Sequence, residues 1–336
     1  MANARRRSDP TRAVVVILLL AAYVSAAFGA YADPIDPHVR TLATARVART
    51  ERSLKPRWFT YYTSGKSWVV WNSGGWTSGY LPGELWMSYA LTGDPWFRTH
   101  ALSREAPLGA TIPSANAIDI GMRYFYSYVS AYRLTGKTAY EKTALKAAKA
   151  QVKRYNAAVG AFRSTTSPSF QVIIDDLMNI QLLTWGADHG GPASWRTKAH
   201  RHALTTARDF VRADGSTFHI ASYNPVTGSI EATQVRQGYS TSSTWSRGQA
   251  WAIYGFSAAY ASTRDVTLLA AARKVADYYV SNLPADKIPY WDFDAPHVPN
   301  EPKDSSAAAI AASGLLDLAA VETDHANAVR YRTAAS

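Results

Sequence analysis

After residue 33 the apolar residues fall mostly at helical spacing. The stretch "HVRTLATARVARTERSL" (38–54) reads as one amphipathic helix. A Trp- and Gly-rich stretch, "WVVWNSGGWTSGYLPG" (68–83), reads as a loop. Beyond it one unit recurs: a helix apolar nearly all round, a polar turn with Gly or Asp, then a more basic helix. The turns begin at residues 91, 134, 187, 262 and 321. Spacing this uneven argues against a solenoid, whose repeats keep a nearly fixed period. It suits a closed ring of helical hairpins with insertions on one face. Helices over 119–135, 175–186, 247–262 and 304–320 should be inner, because they are apolar nearly all round. The helices after each turn should be outer, with Lys and Arg facing water. Five such units plus an unmatched first helix make eleven helices. Six hairpins would close a ring. The expectation is therefore an all-α chain with one domain over 33–336, lacking its final inner helix and stopping at "YRTAAS" inside an outer one.

The N-terminus departs from this pattern. A basic stretch, "RRRSDPTR", precedes the apolar run "AVVVILLLAAYVSAAFGA" (13–30), and "AYA" (30–32) has the form of a cleavage site. Residues 1–32 are expected to be a signal peptide, or an anchor if uncleaved. Either places the domain outside the cytoplasm. There is no cysteine, which excludes disulfides, thiolate metal sites and a cysteine nucleophile. The formal net charge of +11 suits an anionic partner. No Lys/Arg stripe interleaved with aromatics points to nucleic acid. Acidic polysaccharide fragments fit the compartment better. The 11 Trp and 20 Tyr agree, since flat aromatic faces stack on sugar rings, although core packing also uses them.

Candidate chemistry sits at helix starts. Asp175 and Asp176 follow two isoleucines in "QVIIDDLMNIQLL" (171–183). An N-cap explains one of them; apolar flanks and a like charge next door would hold a proton on the other. Asp119 opens a second inner helix in "NAIDIGMRYFYSY" (116–128). Two acids at the same end of two inner helices would face each other over the central mouth, as acid/base work on a sugar requires. His219 stands in the loop-like stretch "DGSTFHIASYNPVTG" (214–228), with no second His or carboxylate at metal-ligand spacing. In "WSRGQAWAIYG" (245–255), Arg247 and Trp251 are four apart and share a helical face. The Arg could pair with a carboxylate and the Trp could stack on the ring bearing it; alternatively the two form a cation–π pair that only packs. Gln237 lies just upstream. In "KDSSAAAIAASGLLDL" (303–318), Asp304 has the makings of an N-cap.

With these stretches on the page, the chain resembles a known family. "PGELWMSYALTGD" (82–94), "VIIDDLMN" (172–179), "DGSTFH" (214–219), "QGY" (237–239) with "WSRGQAWAIYGF" (245–256), and "PYWDFDAP" (289–296) with "PKDSSAAAIAASGLLDL" (302–318) resemble the unsaturated glucuronyl hydrolases. The resemblance covers about residues 40–336 and implies an (α/α)6 barrel of six helical hairpins. It implies hydration of the C4=C5 double bond that polysaccharide lyases leave on a terminal uronic acid, with no metal or organic cofactor. It makes Asp175 the general acid/base and Asp119 the second essential aspartate. His219, Gln237, Arg247 and Trp251 become substrate contacts. Unsaturated uronyl oligosaccharides, glycosaminoglycan-derived or similar, become the partners. Asp176 stands where the family usually has Asn, and the sister family acting on unsaturated rhamnogalacturonan often has a paired Asp. Ile118, Leu81 and Thr241 also depart from the family pattern. The alternatives are therefore that sister activity, or a barrel that binds acidic sugars without catalysis.

Overall fold

The computed structural model describes residues 36–336, apart from 65–66, 73, 113–117 and 166. The leader-like segment lies outside the described residues. No helix among them is long and apolar enough to cross a membrane.

Eleven helices are present among the described residues: α1 (Pro37–Ser53), α2 (Tyr80–Thr92), α3 (Pro95–Gly109), α4 (Ile120–Thr135), α5 (Thr138–Val152), α6 (Gln181–Asp188), α7 (Ser194–Phe210), α8 (Ser246–Thr263), α9 (Val266–Ser281), α10 (Ser305–Val321) and α11 (His325–Ala335). Helix α4 contains one turn of π-helix, Phe125–Val129, and a 3-10 segment, Ile174–Asn179, leads towards α6. Helices α2, α4, α6, α8 and α10 form the inner ring, each packed on the next in chain order, with the other helices outside. This is an α/α barrel.

The recurring turn has a local cause. Helices α2 and α4 end at Gly93 and Gly136, whose φ values of 71° and 65° are left-handed. Each N–H returns to a carbonyl four residues back, at 2.8 Å. Glycine takes this geometry without steric cost. After Gly93 the next helix starts from a polar cap, Asp94, which accepts from Trp96 N at 2.8 Å, and after the left-handed Arg264 Asp265 accepts from Thr267 N at 2.8 Å. Such a cap contributes about 1 kcal/mol.

Inner helices approach closely because their contact positions are small. A Cβ at Gly255 would fall 2.3 Å from Leu177 Cβ, and one at Gly314 would fall 2.6 Å from the Tyr254 backbone. The main buried core runs from α4 to α11, and a second buried cluster joins α1, α2 and α3 through Val47, Leu85, Trp86 and Phe97.

Two readings need correction. The stretch 68–83 is not one loop: β1 (Phe59–Ser64) and β2 (Ser67–Trp71) form a hairpin, and helix begins at Trp76. The stretch 214–228 is not only loop, because β6 (Ile220–Tyr223) lies between β5 (Phe170–Ile173) and β7 (Ile230–Gln234) in an antiparallel sheet. A two-residue pair, β3 (Tyr155–Asn156) and β4 (Ala161–Phe162), completes the strands. These segments are too short to show a period of two, and they pair with distant residues.

Candidate active site

Five inner elements open at one mouth. Tyr80 starts α2, Asp119 precedes α4, Asp175 lies in the 3-10 segment before α6, Arg247 is in the first turn of α8, and Asp304 caps α10. Helix N-termini present unpaired N–H groups and a partial positive charge, so the mouth favours an anion.

The adjacent aspartates divide the work. Asp176 is fully buried, and its Oδ2 accepts from Ile173 N at 3.0 Å, closing the helix start. The N-cap position itself is Ile173; Asp176, third in the segment, reaches back to it, and Asp175 is left for other use. The Oδ2 of Asp175 is closed off from solvent and has no hydrogen-bond partner. Burial pushes its carboxyl up to about 7, against the pull of Arg247 and with help from Asp119. Asp119 makes no side-chain cap bond either. Burial pushes it up to about 6, with Arg123 and Arg154 as the opposing charges. The mouth thus holds one carboxyl that keeps its proton near neutrality and another that loses it sooner, as acid and base roles demand.

Burial also pushes Asp176 well above its ordinary value. A carboxyl with a raised folded-state value stabilises the fold only while protonated. Its contribution is present below the unfolded value of 3.8 and is lost as pH rises towards the folded value. Asp176→Asn is neutral throughout and keeps an oxygen for Ile173 N. The variant should melt higher than wild type above that pH, by a margin that widens as pH rises. Melting temperatures across a pH series check this; a margin that is constant or shrinks contradicts it.

His219 sits beside this pair. Its carbonyl accepts from Ile174 N at 3.0 Å. Its Nδ1 accepts from the backbone N–H of Arg236 at 3.2 Å and of Gln237 at 3.4 Å, so the ring proton sits on Nε2. Burial, then the cations of Arg236 and Arg247, push it down to about 4. It is a neutral donor at physiological pH. The loop carrying it is braced by Gln249, whose Oε1 accepts from Thr217 Oγ1 at 2.9 Å and whose Nε2 donates to Gly215 O at 2.7 Å.

Arg247 is held on three sides. It donates to Gln237 Oε1 at 3.1 Å and Ser306 Oγ at 3.2 Å, and its Nε stands 3.7 Å from Asp304 Oδ2. Asp304 is the cap the sequence suggested, accepting from Ala307 N at 2.9 Å. The Arg–Trp pair also exists, but with a different tryptophan: the guanidinium lies 4.9 Å from the ring of Trp245, the residue before α8. A Cβ at Gly248 would fall 2.8 Å from that ring and 3.1 Å from Ile174, so only glycine lets both approach. Trp251 is 3 % exposed and packs in the core. No open ring face is left there for stacking. Its Nε1–H is buried with no acceptor, which costs about 1–3 kcal/mol.

Asp119, Asp175, His219, Gln237 and Arg247 are thus brought together, and Trp251 lies one helical turn below Arg247. Sequence reasoning missed Arg236 and Tyr80. Arg236 acts on both Asp175 and His219. The Tyr80 hydroxyl, buried and near Asp119 and Asp175, is pushed well above its ordinary value. The "QVRQGY" spacing around Gln237 was the available signal for Arg236. A recess of about 10 Å³, room for about one water, shares His219, Trp245 and Gly248 with the mouth, but no carboxyl lines it. The departing residues Leu81 and Ile118 are 0 % and 1 % exposed, so both belong to the core.

Comparison with known proteins bears on this arrangement. The model of Glycosyl Hydrolase Family 88 matches residues 58–316. An unsaturated glucuronyl hydrolase of Formosa agariphila is 35 % identical over 250 residues, covering 72 % of this chain and 62 % of that protein. One from a Bacillus species is 32 % identical over 283 residues, covering 82 % of this chain and 75 % of its own length. This chain thus spans less than two thirds of the first relative and three quarters of the second. Among solved structures, an unsaturated glucuronyl hydrolase specific for heparin superposes with a TM-score of 0.82 at 29 % identity, covering 97 % of this chain and 82 % of that one.

Proposed function

We propose, for a chain that belongs to Glycosyl Hydrolase Family 88, that it releases the terminal C4=C5 unsaturated uronic acid of lyase-generated oligosaccharides by hydrating the double bond. The observation that carries this reading is the pair of carboxyls at the starts of two inner elements, facing a braced arginine across one mouth. Relatives named unsaturated glucuronyl hydrolase and unsaturated chondroitin disaccharide hydrolase support it.

The chemistry follows from the groups present. Arg247 pairs with the uronyl carboxylate, and Gln237 and Ser306 hold its guanidinium in place. Protonated Asp175 gives its proton to C4. Positive charge develops at C5 and the ring oxygen, and the ionised Asp119 stabilises it. Water adds at C5, returning a proton to the Asp175 carboxylate. The C5 hemiketal opens to a ketone, which leaves a hemiacetal at C1 that expels the next sugar as its alcohol. His219 Nε2–H supplies a donor for a substrate oxygen, while Trp251 supports the wall from the core. The leader-like residues 13–32 support action outside the cytoplasm.

The conjugated enol ether carboxylate absorbs in the ultraviolet, and hydration erases that absorbance. Incubation with unsaturated disaccharides from glycosaminoglycan and from pectin should show decay with the former. Decay with the pectin disaccharide alone would assign the sister activity, and decay with neither would leave a sugar-binding barrel. The rate should peak between pH about 6 and about 7. Above that window Asp175 loses the proton it must donate; below it Asp119 becomes neutral. A profile that keeps rising through pH 8, well above the Asp175 value, contradicts the assignment.

A further inference from the structure

The chemistry above leaves the rings of the β1–β2 hairpin unused. Tyr61 and Tyr62 are neighbours on β1, and in a regular strand they would point to opposite faces. The pairing with β2 shifts register between Thr60 and Tyr62. Such a bulge re-aims a side chain, and the two rings lie 4.9 Å apart. Tyr61 also meets Trp71 at 4.3 Å and Trp76 at 6.2 Å, and Trp76 meets Tyr80 at 6.2 Å. Tyr80 is the hydroxyl that shares its surroundings with Asp119, Asp175 and Arg247. Ring contacts therefore run unbroken from Tyr80, at the start of α2 on the mouth, to the hairpin.

The outer end of this track is open. Tyr62 is 53 % exposed and Trp71 38 %. Trp71 is nonetheless held in place: a Cβ at Gly75 would fall 2.6 Å from its Cγ, so the ring rests on the glycine backbone. Core packing does not account for large rings ordered at the surface, and such a patch marks a binding surface.

The substrate's own chemistry says what lies there. An unsaturated uronyl residue carries no sugar at C4, because that carbon belongs to the double bond. The rest of the molecule extends from C1 alone. A track leading away from Asp175 is where the leaving sugars run, and their C–H faces pack on aromatic rings. Building on the hydrolase reading above, we propose that Trp71, Tyr61 and Tyr62 form a subsite for a pyranose ring beyond the sugar bonded directly to the uronyl residue.

The test compares an unsaturated disaccharide with an unsaturated tetrasaccharide of the same glycan, in wild type, Trp71→Ala and Trp71→Phe. Trp71→Ala should lower kcat/KM for the tetrasaccharide about five- to tenfold and change the disaccharide value less than about twofold. Trp71→Phe should recover most of the tetrasaccharide loss. Equal losses on both substrates, or no loss on either, overturn the subsite. If wild type hydrates neither sugar, the hydrolase reading has failed instead. Tetrasaccharide binding by calorimetry then decides: Trp71→Ala should weaken it about five- to tenfold relative to Trp71→Phe, and equal affinities reject the proposal.

Discussion

Asp175→Asn should abolish the loss of ultraviolet absorbance from an unsaturated disaccharide, lowering kcat by about 10²–10⁴-fold. The amide keeps the shape but has no proton to transfer to C4 and no carboxylate to take one from water. Unfolding does not offer an alternative explanation. With its value raised to about 7, the Asp175 carboxyl stabilises the fold only below its unfolded value of 3.8, and that stabilisation is lost as pH rises towards 7. The Asn variant should therefore melt at or above the wild-type temperature at neutral pH. Decay at the wild-type rate in a folded Asp175→Asn would falsify the assignment of the proton donor.

Arg247→Ala should act on binding. A charged hydrogen-bonded contact contributes about 1.5–3 kcal/mol, so KM should rise about 10- to 100-fold with a smaller effect on kcat. Part of the loss comes from the supports left behind: Gln237 Oε1 and Ser306 Oγ lose their partner, and Asp304 loses its countercharge. Arg247→Lys should recover little, because an ammonium does not reproduce the planar fork or the contact with Trp245. Steady-state kinetics separate the outcomes. An unchanged KM with a lowered kcat would place Arg247 in the chemical step and not in the grip on the carboxylate.

Much of the barrel was legible in the residues because its determinants are local. The inner helix expected over 247–262 is Ser246–Thr263, and that expected over 304–320 is Ser305–Val321. Periodicity, Gly in left-handed turns and Asp caps act within a few residues, so they can be read in order. The second strand of the hairpin, Ser67–Trp71, falls in the stretch 68–83 that reads as loop, because its pairing is too short for alternation to stand out. The hairpin's bulge breaks what alternation there is. The 3-10 geometry of Ile174–Asn179 was read as helix, since the spacing of apolar residues barely distinguishes one short turn from another.

The site divides along the same line. Local spacing was enough to place acids at the starts of two inner helices and to set Arg247 one turn from Trp251. It could not say which aspartate of the pair closes the helix start. That depends on Ile173 N finding Asp176 Oδ2, while Asp175 Oδ2 is left closed off and unpaired. Nor could it say which tryptophan meets Arg247. The i, i+4 rule describes neighbours on a helix, whereas Trp245 lies before the helix and turns back because Gly248 leaves room. The proton affinities were set last of all. They arise from burial and from charges such as Arg123, Arg154 and Arg236, which the chain brings in from other segments. Helix positions and the identity of the acids can be read along the chain, because they rest on local periodicity and capping. Protonation and partners follow from the folded arrangement alone, because electrostatic environment is a property of space and not of order along the chain.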